Sequence, residues 1–240
     1  MIHSADYKKN EKDDYYDNYN DNLSITIGHP KKNRLNVVVD VLRASSTIIT
    51  ALANGIDEII FLDSDKDLLK LKKDGFLLVG EYKGLKLPKF DIGNSPVDLI
   101  DAISNGDYTK VALKTTNTTK RLANMKDETF IFSSTLNISA TVDFLSNLDE
   151  KIKINLMAVG GRNGFTEDLS VVLSLYAILN DDIDINYGFL KDCIFNSKNA
   201  RYLSSIGYSK DIEFIISKIN TYDVVPMMVD GVIKPVQQYG

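Results

Sequence analysis

The sequence predicts an α/β protein with three layers, α/β/α, around a mainly parallel or mixed central sheet. Two observations carry that expectation. Short apolar runs rich in valine, isoleucine and phenylalanine recur along the chain, and stretches of helical period separate them. Polar turn residues mark most of the junctions between the two kinds of segment. Such alternation implies crossover connections and a sheet covered on both faces.

Residues 1–22 hold Asp, Asn, Lys and Tyr with little apolar content, and they read as a mobile arm. Residues 23–240 are expected to form one α/β domain. Val37-Val38-Val39-Asp40-Val41-Leu42 reads as a buried strand, and residues 46–54 as a helix closed by Gly55. Strands follow at 58–62 and 76–79, with an amphipathic helix at 65–73 between them. A long loop runs from Gly80 to Asn94. Ser95-Pro96 then supplies a capping serine and a first-turn proline for the next helix. Further strands are expected at 111–114, 129–132 and 152–159, and helices at 117–125, 135–146 and 166–179. Helical stretches near 192–205 and 209–218 precede a hairpin with its turn at Asp230-Gly231.

Bulk properties exclude several classes of function. The composition is 44% hydrophobic and 25% charged, ordinary for a globular chain. No apolar run or opening segment reads as a membrane span or signal peptide, so a cytoplasmic location is expected, with no membrane partner. The net charge of −5 argues against a nucleic-acid partner. A single cysteine, Cys193, excludes an internal disulfide and a multi-cysteine metal site. His3 and His29 read as solvated. Proton transfers in an enzyme of this composition therefore fall to carboxylates, hydroxyls or metal-bound water.

Four strand-to-helix junctions share a polar character: Arg43, Ser45 and Ser46; Thr115, Thr116 and Asn117; Ser133, Ser134 and Thr135; Gly160, Gly161 and Arg162. In a parallel sheet they gather at the carboxyl edge, where helix N-termini offer N–H groups to anions. Each one alone is also explained as an ordinary cap. Asp40 interrupts an otherwise apolar strand, where a buried unpaired acid is costly. It is read either as the salt-bridge partner of Arg43 or as a metal ligand or nucleophile at the mouth of the sheet. Glu81 opens a Gly-rich loop. Glu167 and Asp168 begin an apolar helix, where first-turn acids complement the helix dipole.

Spacing removes several phosphatase chemistries. Leu42 stands where a haloacid-dehalogenase-type enzyme needs its second aspartate, and Asn199 stands where a cysteine phosphatase needs arginine. No Arg-His-Gly context, Walker A sequence or dinucleotide fingerprint is present.

Taken together, these segments resemble the 2-phosphosulfolactate phosphatase family. Asp40-Val41-Leu42-Arg43-Ala44-Ser45-Ser46-Thr47 is similar to its Asp-hydrophobic-Leu-Arg-Ala-Thr motif. Gly80-Glu81, Lys83-Gly84-Leu85-Lys86 and Phe90-Asp91-Ile92-Gly93-Asn94-Ser95-Pro96 resemble its central loop. Thr115-Thr116-Asn117-Thr118-Thr119 resembles its Thr-Thr-Asn-Gly-Thr turn, and Glu167-Asp168 its acidic pair. Ser205-Ile206-Gly207-Tyr208, Lys210-Asp211-Ile212 and Val225-Pro226 continue the series. The resemblance implies Mg²⁺-dependent hydrolysis of phosphate esters of small 2-hydroxy acids, with 2-phosphosulfolactate as the named substrate, in coenzyme M biosynthesis. It raises Asp40, Arg43 and Glu81 as catalytic residues and Asp40, Glu81 and Asp168 as metal ligands. Asn94, Ser95, Thr116, Asn117 and Thr119 become candidate substrate binders, joined by Arg162. The expected partner is a small phosphate ester, with a homodimer as the quaternary option. Two positions depart from the family pattern: Thr118 replaces a glycine, and Tyr82 stands in place of an arginine that would contact an anion. A weakened anion-binding protein of the same fold, or an unrelated sugar-phosphate or nucleotide-sugar transferase, are the rival readings.

Overall fold

The computed structural model describes residues 22–122, 128–181 and 183–236; residues 1–21 of the expected arm, with His3, lie outside them. In chain order the strands are β1 (Leu23–Ile27), β2 (Leu35–Val39), β3 (Glu58–Phe61), β4 (Phe76–Tyr82), β5 (Leu85–Lys86), β6 (Lys110–Lys114), β7 (Phe130–Ser133), β8 (Ile154–Ala158), β9 (Pro226–Val229) and β10 (Val232–Pro235). The helices are α1 (Ala44–Ala53), α2 (Leu68–Lys73), α3 (Pro96–Ser104), α4 (Thr118–Leu122), α5 (Ile138–Ser146), α6 (Thr166–Asp181), α7 (Tyr187–Phe195), α8 (Lys198–Ser205) and α9 (Ser209–Ser217).

Strand period two sorts the core. Val37 and Val39 of β2 enter one apolar cluster and Val38 the cluster on the opposite face. In β7, Ile131 is divided in the same way from Phe130 and Phe132, and in β8 Leu156 is divided from Met157. Both faces of these strands are therefore buried, which is why they read as continuous apolar runs. Helices α5 to α9 cover one face of this half, and α1, α3 and α4 contribute to the other. A third cluster, with Leu68 of α2 and Leu78 of β4, covers the remaining half.

The sheet is mixed, in the order β1-β8-β2-β7-β9-β10-β3-β6-β4-β5. Two parallel groups, β1-β8-β2-β7 and β3-β6-β4, flank the antiparallel β9–β10 hairpin. The Asp230-Gly231 turn is where the sequence places it, with φ of 52° and 79°. Its location between the halves is new. Three antiparallel pairings separate the two groups, so the groups run in opposite senses. The junctions cannot all meet by parallel pairing, as the sequence reading supposed. Strand twist of roughly 20–25° per neighbour accumulates over the hairpin. The turn after β6 then meets the turn after β2 directly.

Local signals account for most boundaries. Ser95 caps α3, its Oγ accepting from the Asp98 amide at 3.1 Å. The expected helix at 192–205 is divided at Asn196-Ser197, where Ser197 caps α8 by accepting from Ala200 N. The loop after β4 folds back as the β4–β5 hairpin. β1, unread in the sequence, pairs in parallel with β8. The helix expected at 117–125 is described as far as Leu122. No helix among the described residues is long and apolar enough to cross a membrane.

Candidate active site

β2 stops at Val39, so Asp40 does not interrupt a strand but begins the turn beyond it. The hydroxyls of that turn hold it in shape. Asp40 N donates to Ser45 Oγ at 3.0 Å, and Ser46 Oγ donates to the Val41 carbonyl at 2.7 Å. Both serines are fully buried. The Asp40 carboxylate accepts from Ala44 N (3.3 Å) at Oδ1 and from Thr118 Oγ1 (2.6 Å) at Oδ2.

The salt-bridge reading of Asp40 is corrected by Arg43. Arg43 is buried, and its Nη1 pairs with Asp211 Oδ2 at 2.8 Å. Its Nη2 donates to the Gly84 carbonyl at 2.7 Å, and Tyr208 stacks on the guanidinium at 4.1 Å. Ser95 Oγ donates to the other Asp211 oxygen at 2.6 Å. Ser95, expected to bind substrate, instead supports the partner of Arg43.

Glu81 stands next to the end of β4 and fastens the turn after β6. Its Oε1 accepts from Thr116 N (2.5 Å), and its Oε2 accepts from Thr116 Oγ1 (2.8 Å) and Gly84 N (2.6 Å). Thr119 is absorbed into the same turn by reciprocal bonds with Thr115. Asn117 stands against Gly161, where a Cβ would come within 2.7 Å of its Nδ2, so only glycine admits this approach without displacement. The third junction turns inward: Ser133, Ser134 and Thr135 are buried, and Thr141 Oγ1 donates to Ser133 Oγ.

Asp168 lies behind Asp40. Its oxygens accept from Val41 N and Gly160 N, each at 2.8 Å, tying the first junction to the fourth. Burial, with the charges of Asp40 and Glu167, pushes Asp168 well above the usual carboxylate range. Burial likewise raises Asp40 to about 6, opposed by the Thr118 and Ala44 hydrogen bonds and reinforced by Glu81 and Glu167. Glu167 is raised by burial against a hydrogen bond from Asn199.

These elements enclose a cavity of about 380 Å³. Of the expected site residues, Asp40, Arg43, Glu81, Asn94, Thr116, Asn117 and Arg162 line it. Ser95, Thr119 and Asp168 are not among its walls. Asn94 Oδ1 is buried without a hydrogen-bond partner, an acceptor left available at the wall. Sequence reasoning missed Asn199, Tyr202 and Leu203, which bring α8 to the cavity, and it did not single out Lys83. Among the described residues, no three His, Cys, Asp or Glu side chains converge as a metal-holding group. The cavity wall carries the carboxylates of Asp40 and Glu81 and the cationic side chains of Arg43, Lys83 and Arg162, and the cationic groups suit an anionic ester.

A family model described as 2-phosphosulpholactate phosphatase matches residues 24–231. The chain belongs to that family. A probable 2-phosphosulfolactate phosphatase of Thermotoga petrophila is 32% identical over 217 residues, covering 85% of this chain and 92% of the relative. One from Carboxydothermus hydrogenoformans is 34% identical over 207 residues, 79% of this chain and 84% of the relative. The 2-phosphosulfolactate phosphatase of Methanocaldococcus jannaschii is 31% identical over 208 residues, covering 79% and 86%. A match of this length excludes the rival of an unrelated transferase with chance motifs.

The two departures from the family pattern have places in the structure. Thr118 opens α4 outside the left-handed region, so its position does not require glycine, and its hydroxyl serves Asp40. Tyr82 lies on the cavity wall with the Lys83 ammonium 5.1 Å from its ring centroid.

Proposed function

We propose that this chain hydrolyses phosphate esters of small 2-hydroxy acids, 2-phosphosulfolactate foremost, with Mg²⁺ as cofactor. The observation that carries the proposal is the meeting of Asp40 and Glu81 across the Thr115–Thr119 turn, in a cavity walled also by Arg43, Lys83 and Arg162. The names of the relatives supply the substrate.

The donor set fits a hard cation. Asp40, Glu81 and the unpartnered Asn94 Oδ1 are all oxygen donors at the wall, and Mg²⁺ commonly takes only one or two carboxylates beside phosphate and water. Asp168 fits less well as a ligand, because it is not among the walls of the cavity that Asp40 and Glu81 line. When bound, Mg²⁺ would offset charge on the phosphoryl oxygens.

The protein's own groups do the remainder. Asp40, ionised above about pH 6, either attacks phosphorus, giving an aspartyl-phosphate that water then hydrolyses, or takes a proton from the attacking water. In both routes the ester P–O bond breaks and the alkoxide leaves with a proton from water or from Asp40. Thr118 orients its Oδ2. Arg43, fixed by Asp211, holds the wall around the reacting centre, and Arg162 faces the substrate carboxylate.

The test is phosphate release from 2-phosphosulfolactate, with kcat/KM expected to fall as pH drops below about 6. Addition of Mg²⁺ should restore activity lost on chelation. Full turnover in metal-free protein would remove the cofactor from the proposal, and no turnover with the metal present would remove the substrate.

A further inference from the structure

The tip of the β4–β5 hairpin holds two successive left-handed residues, Lys83 at φ 51° and Gly84 at φ 82°. Asn, Asp or Gly ordinarily takes the first place in such a turn. A lysine there sets its Cβ against the following carbonyl, a conformation that L-residues avoid. Four side chains hold the tip in that state. Thr116 Oγ1 accepts from Lys83 N at 2.9 Å, and the Tyr202 hydroxyl donates to the Lys83 carbonyl at 2.8 Å. Glu81 accepts from Gly84 N, and Arg43 donates to the Gly84 carbonyl. All four residues line the cavity, as Lys83 itself does. Strain that its surroundings maintain at a ligand wall points to a use for the strained side chain.

The head of that side chain is positioned as well. The Lys83 ammonium stands over the Tyr82 ring at 5.1 Å, within cation–π range. A ring fixes a cation through its quadrupole without neutralising it, so the ammonium donors stay available to an anion. Arg43 differs, since its guanidinium is committed to Asp211 and Gly84.

We propose that Lys83 is a specificity-determining residue that reads the second acidic group of the substrate, the one borne on carbon 3 away from the phosphate ester. This rests on the phosphatase reading above and extends it: the 2-hydroxy acid phosphate is common to all substrates, and Lys83 selects among them by the charge on carbon 3. Tyr82, where the family pattern has arginine, serves as the seat for that lysine.

The experiment compares three esters that share the phosphorylated 2-hydroxy acid and carry sulfonate, carboxylate or hydrogen on carbon 3. Each is assayed with the wild-type protein, Lys83→Asn, Lys83→Arg and Arg162→Met, and melting temperatures are recorded for all four proteins. Asparagine suits the left-handed position, so Lys83→Asn should melt no lower than wild type. Its preference for the sulfonate over the hydrogen ester, as a ratio of kcat/KM values, should fall about tenfold, the equivalent of about 1.4 kcal/mol. Lys83→Arg should keep most of that preference. A folded Lys83→Asn protein with the wild-type ratio would overturn the proposal, as would a ratio that shifts only on Arg162→Met. A wild-type protein that releases phosphate from none of the esters would sink the phosphatase reading and this proposal with it. That outcome is distinct from an active enzyme whose preference ignores Lys83.

Discussion

Two pairs of buried charged groups flank the cavity, and they are stabilised on opposite terms. Arg43 and Asp211 are unlike charges 2.8 Å apart, with Ser95, the Gly84 carbonyl and the Tyr208 ring satisfying what remains. Asp40 and Asp168 are like charges, held by backbone amides and the Thr118 hydroxyl, with no ion pair among the described residues. Burial with compensation describes architecture. Burial without it raises the pKa and costs stability, and such groups concentrate where chemistry is done. The comparison moves Arg43 toward the framework and supports the proposal that Asp40 is the reacting carboxylate.

The largest expected effect would break the comparison on the compensated side. Asp211→Ala strands the Arg43 guanidinium in the interior and should cost about 3–5 kcal/mol in a denaturant titration. A loss below about 1 kcal/mol would show that the pair does not hold the cavity wall.

Asp40→Asn should separate activity from stability. Loss of the charge and nucleophile should lower kcat/KM at least about a hundredfold, about 2.7 kcal/mol of transition-state stabilisation. Stability should move the other way. Asp40 has a folded pKa of about 6 against an ordinary 3.8, so between those values the unfolded chain releases a proton that the folded protein retains. Rising pH therefore favours unfolding across that window, by up to about 3 kcal/mol once it is passed. The variant escapes this penalty, so its melting temperature relative to wild type should climb from pH 4 to pH 6 and then level off. A variant that melts lower at neutral pH would mean that the Ala44 and Thr118 hydrogen bonds to Asp40 outweigh the cost of burying its charge.

A smaller effect sharpens the division within the acidic pair. Asp168→Asn offers one acceptor oxygen to two backbone amides, leaving Val41 N or Gly160 N unpaired. The turn bearing Asp40 should loosen, and kcat/KM should fall about tenfold, about 1.4 kcal/mol. A loss as large as that of Asp40→Asn would place Asp168 among the groups that touch the reacting atoms.

What the sequence revealed followed the range of each signal. The valine run of β2, the Ser95-Pro96 cap and the Asp230-Gly231 turn are local patterns, and each marks an element that exists, although β2 stops at Val39 rather than running to Leu42. Partners set by tertiary packing were hidden. Arg43 was read against Asp40, three residues away, but its partner Asp211 lies 168 residues along the chain. Ser95 reads locally as a helix cap, and its place among the candidate substrate binders comes from the family resemblance alone. Its second bond, to Asp211, depends on α9 packing near α3. Asn199 gave no local sign of facing the cavity, since its direction follows from how α8 sits over the β4–β5 hairpin. Asp211 and Tyr208 did carry a signal, as both fall in segments that resemble the family.

The β9–β10 hairpin has a consequence for the order in which the molecule can be built. Every other described strand is synthesised before residues 226–235, yet the hairpin separates β7 from β3 and pairs with both. Until it arrives, both halves present an unpaired strand edge, the surface through which unfinished sheets recruit other chains. Met228 and Ile233 also complete the apolar cluster shared by the two halves. A ribosome-bound chain lacking this segment therefore has two open seams, and the last of the described strands close both of them.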